Sequence, residues 1–429
     1  MIGYDAIEYA SLTDTGVRRS HNQDAHATLL ASDAEQWRER GHVFLVADGM
    51  GAHAVGELAS DMAVRIIPHT YHKYAAQTGV PALRKAFVEA NATIHAKGQQ
   101  NPDFGGMGTT TTALLLRPEG AWIGHVGDSR AYRIRDGQIE QISFDHSLVW
   151  EMARRQGVDP ERLQGIPSNV IVRSLGPEPL VQVDVEGPHK VQAGDLFLLC
   201  SDGLSGQVSD REIGAIASAL PPAEACRFLI DLANLRGGPD NITVLIVRVN
   251  EPAPQPQTEP KIERSWIRLA HWPLISLVAG VLLVVGAAWL TADGYRTLAV
   301  LVFLVAAAVI LAGVAGLFVA YNREHRRVPV AENHSRPHIY RQVPCVVEQS
   351  LVDKVIKAIE ALVQQVRERS WELEWDEFQR HYEQSRKLLG EGNLIDSFRE
   401  SCRAMRYLAD AVQRQRPKGE PVPALWDKE

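Results

Sequence analysis

Two long apolar stretches, Pro273–Leu290 and Leu298–Tyr321, constrain this 429-residue chain more than any other feature. Neither carries a charged side chain, and each approaches the roughly 20 residues that a helix needs to span a bilayer core. Only Thr291-Ala-Asp-Gly-Tyr-Arg296 separates them, so a helical hairpin in a membrane is expected rather than a pair of core helices. Lys261, Arg264 and Arg268 precede the hairpin, and Arg323, Arg326 and Arg327 follow it. Basic residues flanking a span mark the cytoplasmic side, which puts both ends there. Trp266, Trp272, Tyr295 and Tyr321 fall where an interfacial aromatic belt would lie. No acid or base interrupts the apolar stretches, which argues against transport. The opening Met1–Ala10 has neither a basic nor an apolar region, so no signal peptide is expected. The expected location is the cytoplasmic (inner) membrane, two-pass, with both termini cytoplasmic.

The hairpin divides the rest of the chain. Residues 1–250 alternate apolar β-branched runs with amphipathic stretches and hold enough apolar residues for a complete core. Strands are expected at Val43–Ala47, Thr110–Leu116, Ala121–His125, Ala131–Ile134, Leu196–Cys200 and Ile242–Val249. Helices are expected at Glu57–Ile67, Pro81–Lys97, Ser147–Gln156 and Pro222–Leu235. Residues 251–268, with Pro252, Pro254, Pro256 and Pro260, read as an extended linker, and 269–325 as the hairpin. Residues 326–429 read as a small all-α domain of three antiparallel helices, with apolar stripes beginning at Leu351, Trp371 and Ile395 and breaks at Gly390 and Gly392. Those stripes predict buried faces and name no partner. The net charge of −7, with no basic block, argues against nucleic acid. Cys200, Cys226, Cys345 and Cys402 lie far apart, with no metal-ligand spacing, and read as reduced thiols.

Chemistry concentrates in five short acidic patches: Arg19-Ser-His-Asn-Gln-Asp24, Ala47-Asp-Gly-Met-Gly51, Val126-Gly-Asp-Ser-Arg130, Ser201-Asp-Gly203 and Asp240-Asn-Ile242. In four of them an Asp follows an apolar run or abuts Gly, Ser or Asn, which places a carboxylate at a strand end. Any one could be a turn residue. Carboxylates gathered from several strand ends, without a Cys/His set, suit hard divalent cations such as Mn²⁺ or Mg²⁺. With an isolated Arg, that is the equipment for hydrolysing a phosphate ester.

Taken in order, the first domain resembles the metal-dependent type 2C (PPM family) protein serine/threonine phosphatases in their bacterial form. The marks run from Thr15-Gly-Val-Arg-Arg-Ser-His-Asn-Gln-Asp24 through Val46-Ala-Asp-Gly-Met-Gly51, Gly56-Glu-Leu-Ala-Ser60 and Gly106-Met-Gly-Thr-Thr110. They continue with Gly124-His-Val-Gly-Asp-Ser-Arg-Ala-Tyr132, Asp145-His-Ser147, Val172-Arg-Ser-Leu-Gly176, Leu199-Cys-Ser-Asp-Gly-Leu204 and Gly238-Pro-Asp-Asn-Ile-Thr243. The resemblance implies an α+β fold, an α-β-β-α sandwich, here followed by two transmembrane helices and the helical domain. It implies two Mn²⁺ or Mg²⁺ ions bridged by Asp48, with the Gly49 carbonyl completing one and Asp202 and Asp240 holding the other. Asp128 would join Asp202 at a third, weaker ion. A water shared by two metals is the implied nucleophile. Arg19 matches the phosphate clamp, and Asp24 an outer carboxylate that orients metal-bound water. Asn241 would support its loop.

Met50 stands where eukaryotic relatives carry a His proposed as general acid, and Ala52 replaces a common Gly. The general acid is thereby unassigned. Residues Val149–Arg173 match a flap beside the active site that affects substrate choice in this family. The implied function is hydrolysis of phosphoserine and phosphothreonine on proteins, among them a bacterial serine/threonine kinase, with membrane lipid as the other partner. Two alternatives stand beside it: a membrane scaffold with a vestigial phosphatase domain, and a phosphatase of anti-sigma-factor antagonist proteins.

Overall fold

A computed structural model describes residues 5–51, 54–163, 165–167, 170–250, 272–292, 294–325 and 336–415. The Pro-rich linker expected at 251–268 and position 52 lie outside the described residues. The chain divides into two compact units, Met1–Ala253 together with His334–Glu429, and Pro254–Asn333.

The larger unit is built on two antiparallel sheets. One orders its six strands β1 (Ile7–Asp14), β11 (Ile242–Val249), β10 (Leu196–Cys200), β7 (Arg130–Arg135), β8 (Gln138–Gln141) and β12 (Arg341–Pro344). The other orders β2 (Asp24–Leu29), β3 (His42–Met50), β5 (Thr111–Arg117), β6 (Gly120–Val126) and β9 (Asp184–His189), with the short β4 (Gly108–Thr109) also on β3. Strands β3, β10 and β11 read as continuous apolar runs because both of their faces are buried. Along β11, Leu245 and Val247 enter the core between the sheets with Phe44, Val46, Phe197 and Leu199, while Val244 and Ile246 face the helices outside. This period-2 division serves two apolar layers from one run of residues. Helices α2 (Val55–Thr78) and α3 (Pro81–Gly98) cover the second sheet. The short α1 (Ala34–Glu39) joins β2 to β3, and α4 (Leu148–Gln156) opens the flap. Helices α5 (Asp202–Ser205), α6 (Asp210–Ala219) and α7 (Pro222–Leu235) follow β10, and α6 and α7 cover the first sheet. The result is the α-β-β-α sandwich. All four cysteines are buried free thiols.

The C-terminal helices differ from the expectation of a separate domain. Helices α10 (Gln349–Glu368), α11 (Trp375–Gly390) and α12 (Leu394–Gln415) belong to the same unit as the sandwich. Val355, Ile359, Phe398, Met405 and Leu408 share one core with Ile213, Ile216, Phe228 and Leu229 of α6 and α7. Arg403 bonds Glu224 (2.8 Å), and Arg227 bonds Asp410 (2.7 Å) across the seam. Strand β12 pairs with β8, Val343 opposite Ile139, and so covers what would otherwise be an open edge. An amphipathic stripe specifies that a face is buried; here its partners are helices far earlier in the chain.

The smaller unit consists of α8 (Trp272–Ala292) and α9 (Arg296–His325), packed together. A Cβ at Gly280 would meet Ile310 Cγ1 at 2.4 Å, so glycine permits the helices' close approach. Among the described residues one helix segment, Arg296–Ala315, is long and apolar enough to cross a membrane, and Val278–Ala292 is a shorter apolar run. Val281, Leu282, Val285, Leu301, Phe303 and Leu304 are more than half exposed.

Tyr340, just before β12, donates its hydroxyl to Glu186 of β9 and so ties the two sheets together. Burial pushes Glu186 up to about 7; repulsion from Asp184 adds to it, and the bonds from Tyr340 and the His338 backbone oppose it. A carboxyl whose folded pKa exceeds its unfolded value contributes stability fully below about pH 4.5, and loses it as pH rises through about 7. Glu186→Gln is therefore expected to match the wild type at pH 4 to 5 and to become the more stable protein by pH 8. The difference should be about 1 kcal/mol once solvent screening of this partly solvated group is allowed for. Thermal unfolding of both proteins across that range measures it.

Candidate metal centre

The β2–β3 register sets Asp24 directly opposite Asp48 at the end of the second sheet. Asp202 follows β10 at the start of α5, Asp240 stands two residues before β11, and Asp128 lies in the turn between β6 and β7. Five carboxylates thus come to one end of the sandwich, drawn from strands of both sheets. Close backbone contacts fix their spacing. A Cβ at Gly203 would lie 1.9 Å from the Asn241 carbonyl oxygen, so only glycine lets α5 abut the entry to β11. At Gly49 the obstacle is the Gly56 carbonyl, 2.1 Å away, where α2 crosses the end of β3.

Hydroxyls hold the Asp48 backbone and the Asp24 carboxylate in place. Thr110 donates its N–H to the Asp48 carbonyl (2.8 Å) and receives the Asp48 N–H on its own hydroxyl (3.1 Å). Ser201 and Thr243 each donate a hydroxyl to Asp24 Oδ2 (2.7 Å). Asn241 receives the Gln23 N–H (2.8 Å) and donates to the carbonyls of Thr15 and His21, stitching the N-terminal loop to β11. The same loop carries Arg19, whose side chain is half exposed and bonds Asp240 Oδ2 at 2.8 Å. Thr110, Ser201 and Thr243 were not singled out from the sequence, although each ends or adjoins a motif frame; their neighbours drew attention because only a carboxylate signals a cation.

The electrostatics are those of like charges forced together. Burial pushes Asp48 well above the usual carboxylate range, and Asp24, Asp202, Asp128 and Asp240 repel it further. Burial likewise raises Asp128 to about 8, with Asp202 and Asp145 adding repulsion, and Asp24 to about 7 against the bonds from Ser201 and Thr243. Asp202 is also raised by burial and by Asp240, with Asp48 near enough to hydrogen-bond it. Asp24 Oδ1, Asp128 Oδ1 and Asp202 Oδ1 are buried with no donor among the described residues. Orphaned acceptors of this kind are costly, and a cation satisfies them. Among the described residues no three His, Cys, Asp or Glu side chains close into a ready cage. A hard cation that keeps several waters takes only one or two carboxylates, and the orphaned oxygens supply them. The residues fit divalent metal.

Behind the cluster, charges are paired. Arg130, largely but not fully buried, bonds Asp145 (2.9 Å) and approaches Asp210 (3.6 Å). His146 accepts the Gly127 N–H on Nδ1 (3.0 Å), leaving Nε2 to donate to Asp184 (2.9 Å). His125 is held between Thr112 and the Phe144 carbonyl, and burial pushes it down to about 3. Neither histidine belongs to the aspartate cluster.

Comparison with known proteins agrees with this geometry. A profile of the protein phosphatase 2C family matches residues 16–227. The serine/threonine phosphatase stp of Listeria welshimeri is 36% identical over 244 residues, covering 56% of this chain and 94% of that protein. The serine/threonine protein phosphatase PstP of Mycobacterium tuberculosis is 36% identical over 249 residues, which is 57% of this chain and 45% of PstP. The chain thus spans about half the length of that mycobacterial relative. The crystal structure of the M. tuberculosis serine/threonine phosphatase PstP/Ppp superposes with a TM-score of 0.51 at 33% identity, over 57% of this chain and 99% of that one. The S. agalactiae serine/threonine phosphatase gives 0.50 at 32%, covering 57% of this chain and all of that one. The chain belongs to the protein phosphatase 2C family, whose members are metal-dependent serine/threonine phosphatases. The matched stretch leaves out the hairpin and the C-terminal helices.

Because the aspartates repel one another, removing one charge relieves the metal-free fold. Asp48→Asn is expected to raise the thermal midpoint without metal, by about 1–3 kcal/mol in stability, and to abolish the further rise that Mn²⁺ gives the wild type. Thermal unfolding with and without Mn²⁺ checks both signs.

Proposed function

We propose that this chain hydrolyses phosphoserine and phosphothreonine monoesters on proteins, and that residues 269–325 hold it at the cytoplasmic face of a membrane. The observation that carries the catalytic reading is the convergence of Asp24, Asp48, Asp128, Asp202 and Asp240, three of them with orphaned oxygens, beside one half-exposed arginine. Asp48, Asp202 and Asp240, with the Gly49 carbonyl, would hold two divalent ions, and Asp128 with Asp202 a third. Such ions lower the pKa of bound water and stabilise the charge that develops on phosphoryl oxygens.

The chain's own residues do the rest. Asp48 and Asp202 supply negative charge on a rigid strand end and helix start. Asp24, pinned through one oxygen, offers the other as an acceptor for water protons. Arg19 stands at the rim, where its planar fork can take two phosphoryl oxygens. The exposed rim suits a phosphorylated segment of a protein better than a free metabolite. The counterpart enzyme would be a serine/threonine kinase, whose product is this substrate.

Support for the membrane reading comes from the large apolar side chains left exposed along α8 and α9 and from the basic residues flanking them in sequence. Lipid is the partner that covers such a surface. Phosphate release from a phosphothreonine peptide by the full chain in detergent is expected only with Mn²⁺ or Mg²⁺. Asp48→Asn and Asp202→Asn should each lower kcat/KM by about a thousandfold or more, whereas Arg19→Ala should act largely through KM. Turnover that persists in both aspartate variants would refute the metal mechanism. Expressed in a bacterium, the chain should stay in the carbonate-washed membrane pellet, and deletion of residues 269–325 should release it; a soluble full chain would refute the tether.

A further inference from the structure

The matched family stretch ends before the segment Arg336–Pro344, yet this segment is built into the catalytic unit at the flap. Its backbone is fixed first: Tyr340 donates its N–H to the Gln141 carbonyl (2.9 Å), β12 pairs along β8, and Cys345 donates to the Gly137 carbonyl (2.8 Å). That anchoring aims one side chain, Arg341, inward. Its guanidinium, largely buried, meets Glu161 (3.2 Å) and Asp159 (3.6 Å) of the flap and Asp210 (3.3 Å) at the start of α6. It also lies 5.7 Å from the ring centroid of Trp150 in α4. Arg130, two residues after Asp128, approaches the same Trp150 ring (5.9 Å) and the same Asp210. Two arginines thus share one carboxylate and one indole, the first lying two residues from Asp128 in the chain and the second belonging to the C-terminal segment.

Beneath the flap is a cavity of about 630 Å³. The flap contributes Trp150, Arg154 and Pro160 to its wall, β9 Asp184 and Glu186, and the C-terminal segment Arg336 and Tyr340. Without residues 336–344 this cavity has no third wall and the flap carboxylates Asp159 and Glu161 lose their cation. Arg341 brings a fork of five donors to three carboxylates, two on one turn of the flap and one at the start of α6, which a lysine cannot match. The flap's own sequence, rich in Gly and Pro, supplies few apolar anchors; Trp150 and Ala153 are the buried residues of α4.

We propose that Arg341 is a positioning residue for the phosphatase reaction, fixing the flap over the substrate-facing side, so that recognition of protein substrates depends on the C-terminal segment. The inference rests on the phosphatase reading for its kinetic half and on geometry alone for its structural half. Arg341 touches neither the metal centre nor a small substrate bound there. A small aryl phosphate needs only the metal centre, whereas a phosphorylated protein segment must also pass the flap.

The test uses the full chain in detergent with Mn²⁺, comparing wild type, Arg341→Ala, Arg341→Lys and Arg403→Ala. Arg403 secures the same C-terminal helices far from the flap and serves as the control. In Arg341→Ala, amide hydrogen exchange across residues 148–163 should quicken by about tenfold or more. KM for a phosphothreonine peptide should rise about three- to tenfold, while kcat/KM for p-nitrophenyl phosphate stays within about twofold of wild type. Arg341→Lys should recover part of the protection, and Arg403→Ala should leave flap exchange and both substrates unchanged. Unchanged flap exchange in Arg341→Ala overturns the proposal, as does an equal loss on both substrates accompanied by a general fall in stability. A wild type inactive on every phosphate ester refutes the phosphatase reading instead, and the exchange measurement still decides whether Arg341 holds the flap.

Discussion

Mutual repulsion among buried aspartates is the constraint around which this unit is arranged. Asp48 and Asp24 face each other across a strand pair, and Asp202, Asp240 and Asp128 close in from other elements, none of the five matched by a buried cation among the described residues. A folded chain keeps such a group only where the surrounding structure overrides it. Here the override comes from two sheets with both faces buried, which fix the strand ends, from the Thr110 hydroxyl that holds the Asp48 backbone, and from the Ser201 and Thr243 hydroxyls that hold the Asp24 carboxylate. Stability gained in the layered core is spent at one edge of it.

The C-terminal helices extend that logic. They do not form a second module; they thicken the helical layer over the first sheet and add its last strand. The seam is apolar, with Phe398 and Met405 fully buried, and its ion pairs are partly exposed. Pairs of that kind contribute roughly 1 kcal/mol or less each, so burial dominates the docking and the charges set its register.

Much of the sandwich was legible because its strands are buried on both faces. Leu196–Cys200 and Ile242–Val249 stand where the apolar runs put them, and Pro222–Leu235 is bounded by its own Pro and by the turn before Gly237. Strands with one wet or polar face were missed: β1, β2, β8 and β9 carry Glu, Asp, His or Gln at alternate or successive positions, which blurs the period-2 signal. The β7–β8 hairpin could have been found, since Asp136-Gly137 adopts positive φ at both residues, as a two-residue turn demands. Helix α6 could also have been found from its capping box, Ser209 with Glu212. At the site, the aspartates were legible through their Gly, Ser and Asn neighbours. Thr110, Ser201 and Arg341 were not, because a hydroxyl or guanidinium acquires meaning only from what the fold sets against it. The docking of the C-terminal helices was illegible for the same reason.

Partnership sorts the acidic residues of this unit into two populations. Asp145, Asp195, Asp210, Glu140 and Glu212 each lie against an arginine, and their charge is answered within the protein. Asp24 and Asp128 are as deeply buried, Asp48 and Asp202 are partly so with Asp202 Oδ1 itself buried, and among the described residues no arginine or lysine pairs with these four. Asp240 lies on the boundary, paired with an arginine that is itself half exposed. Burial alone would not separate the groups, and neither would the count of carboxylates. What separates them is that the first set already has its counter-charge, while the second leaves oxygens unsatisfied toward a common centre. Since a buried carboxylate without a counter-charge either takes up a proton or recruits a cation, the division between structural and metal-facing acids follows from the partners each one has.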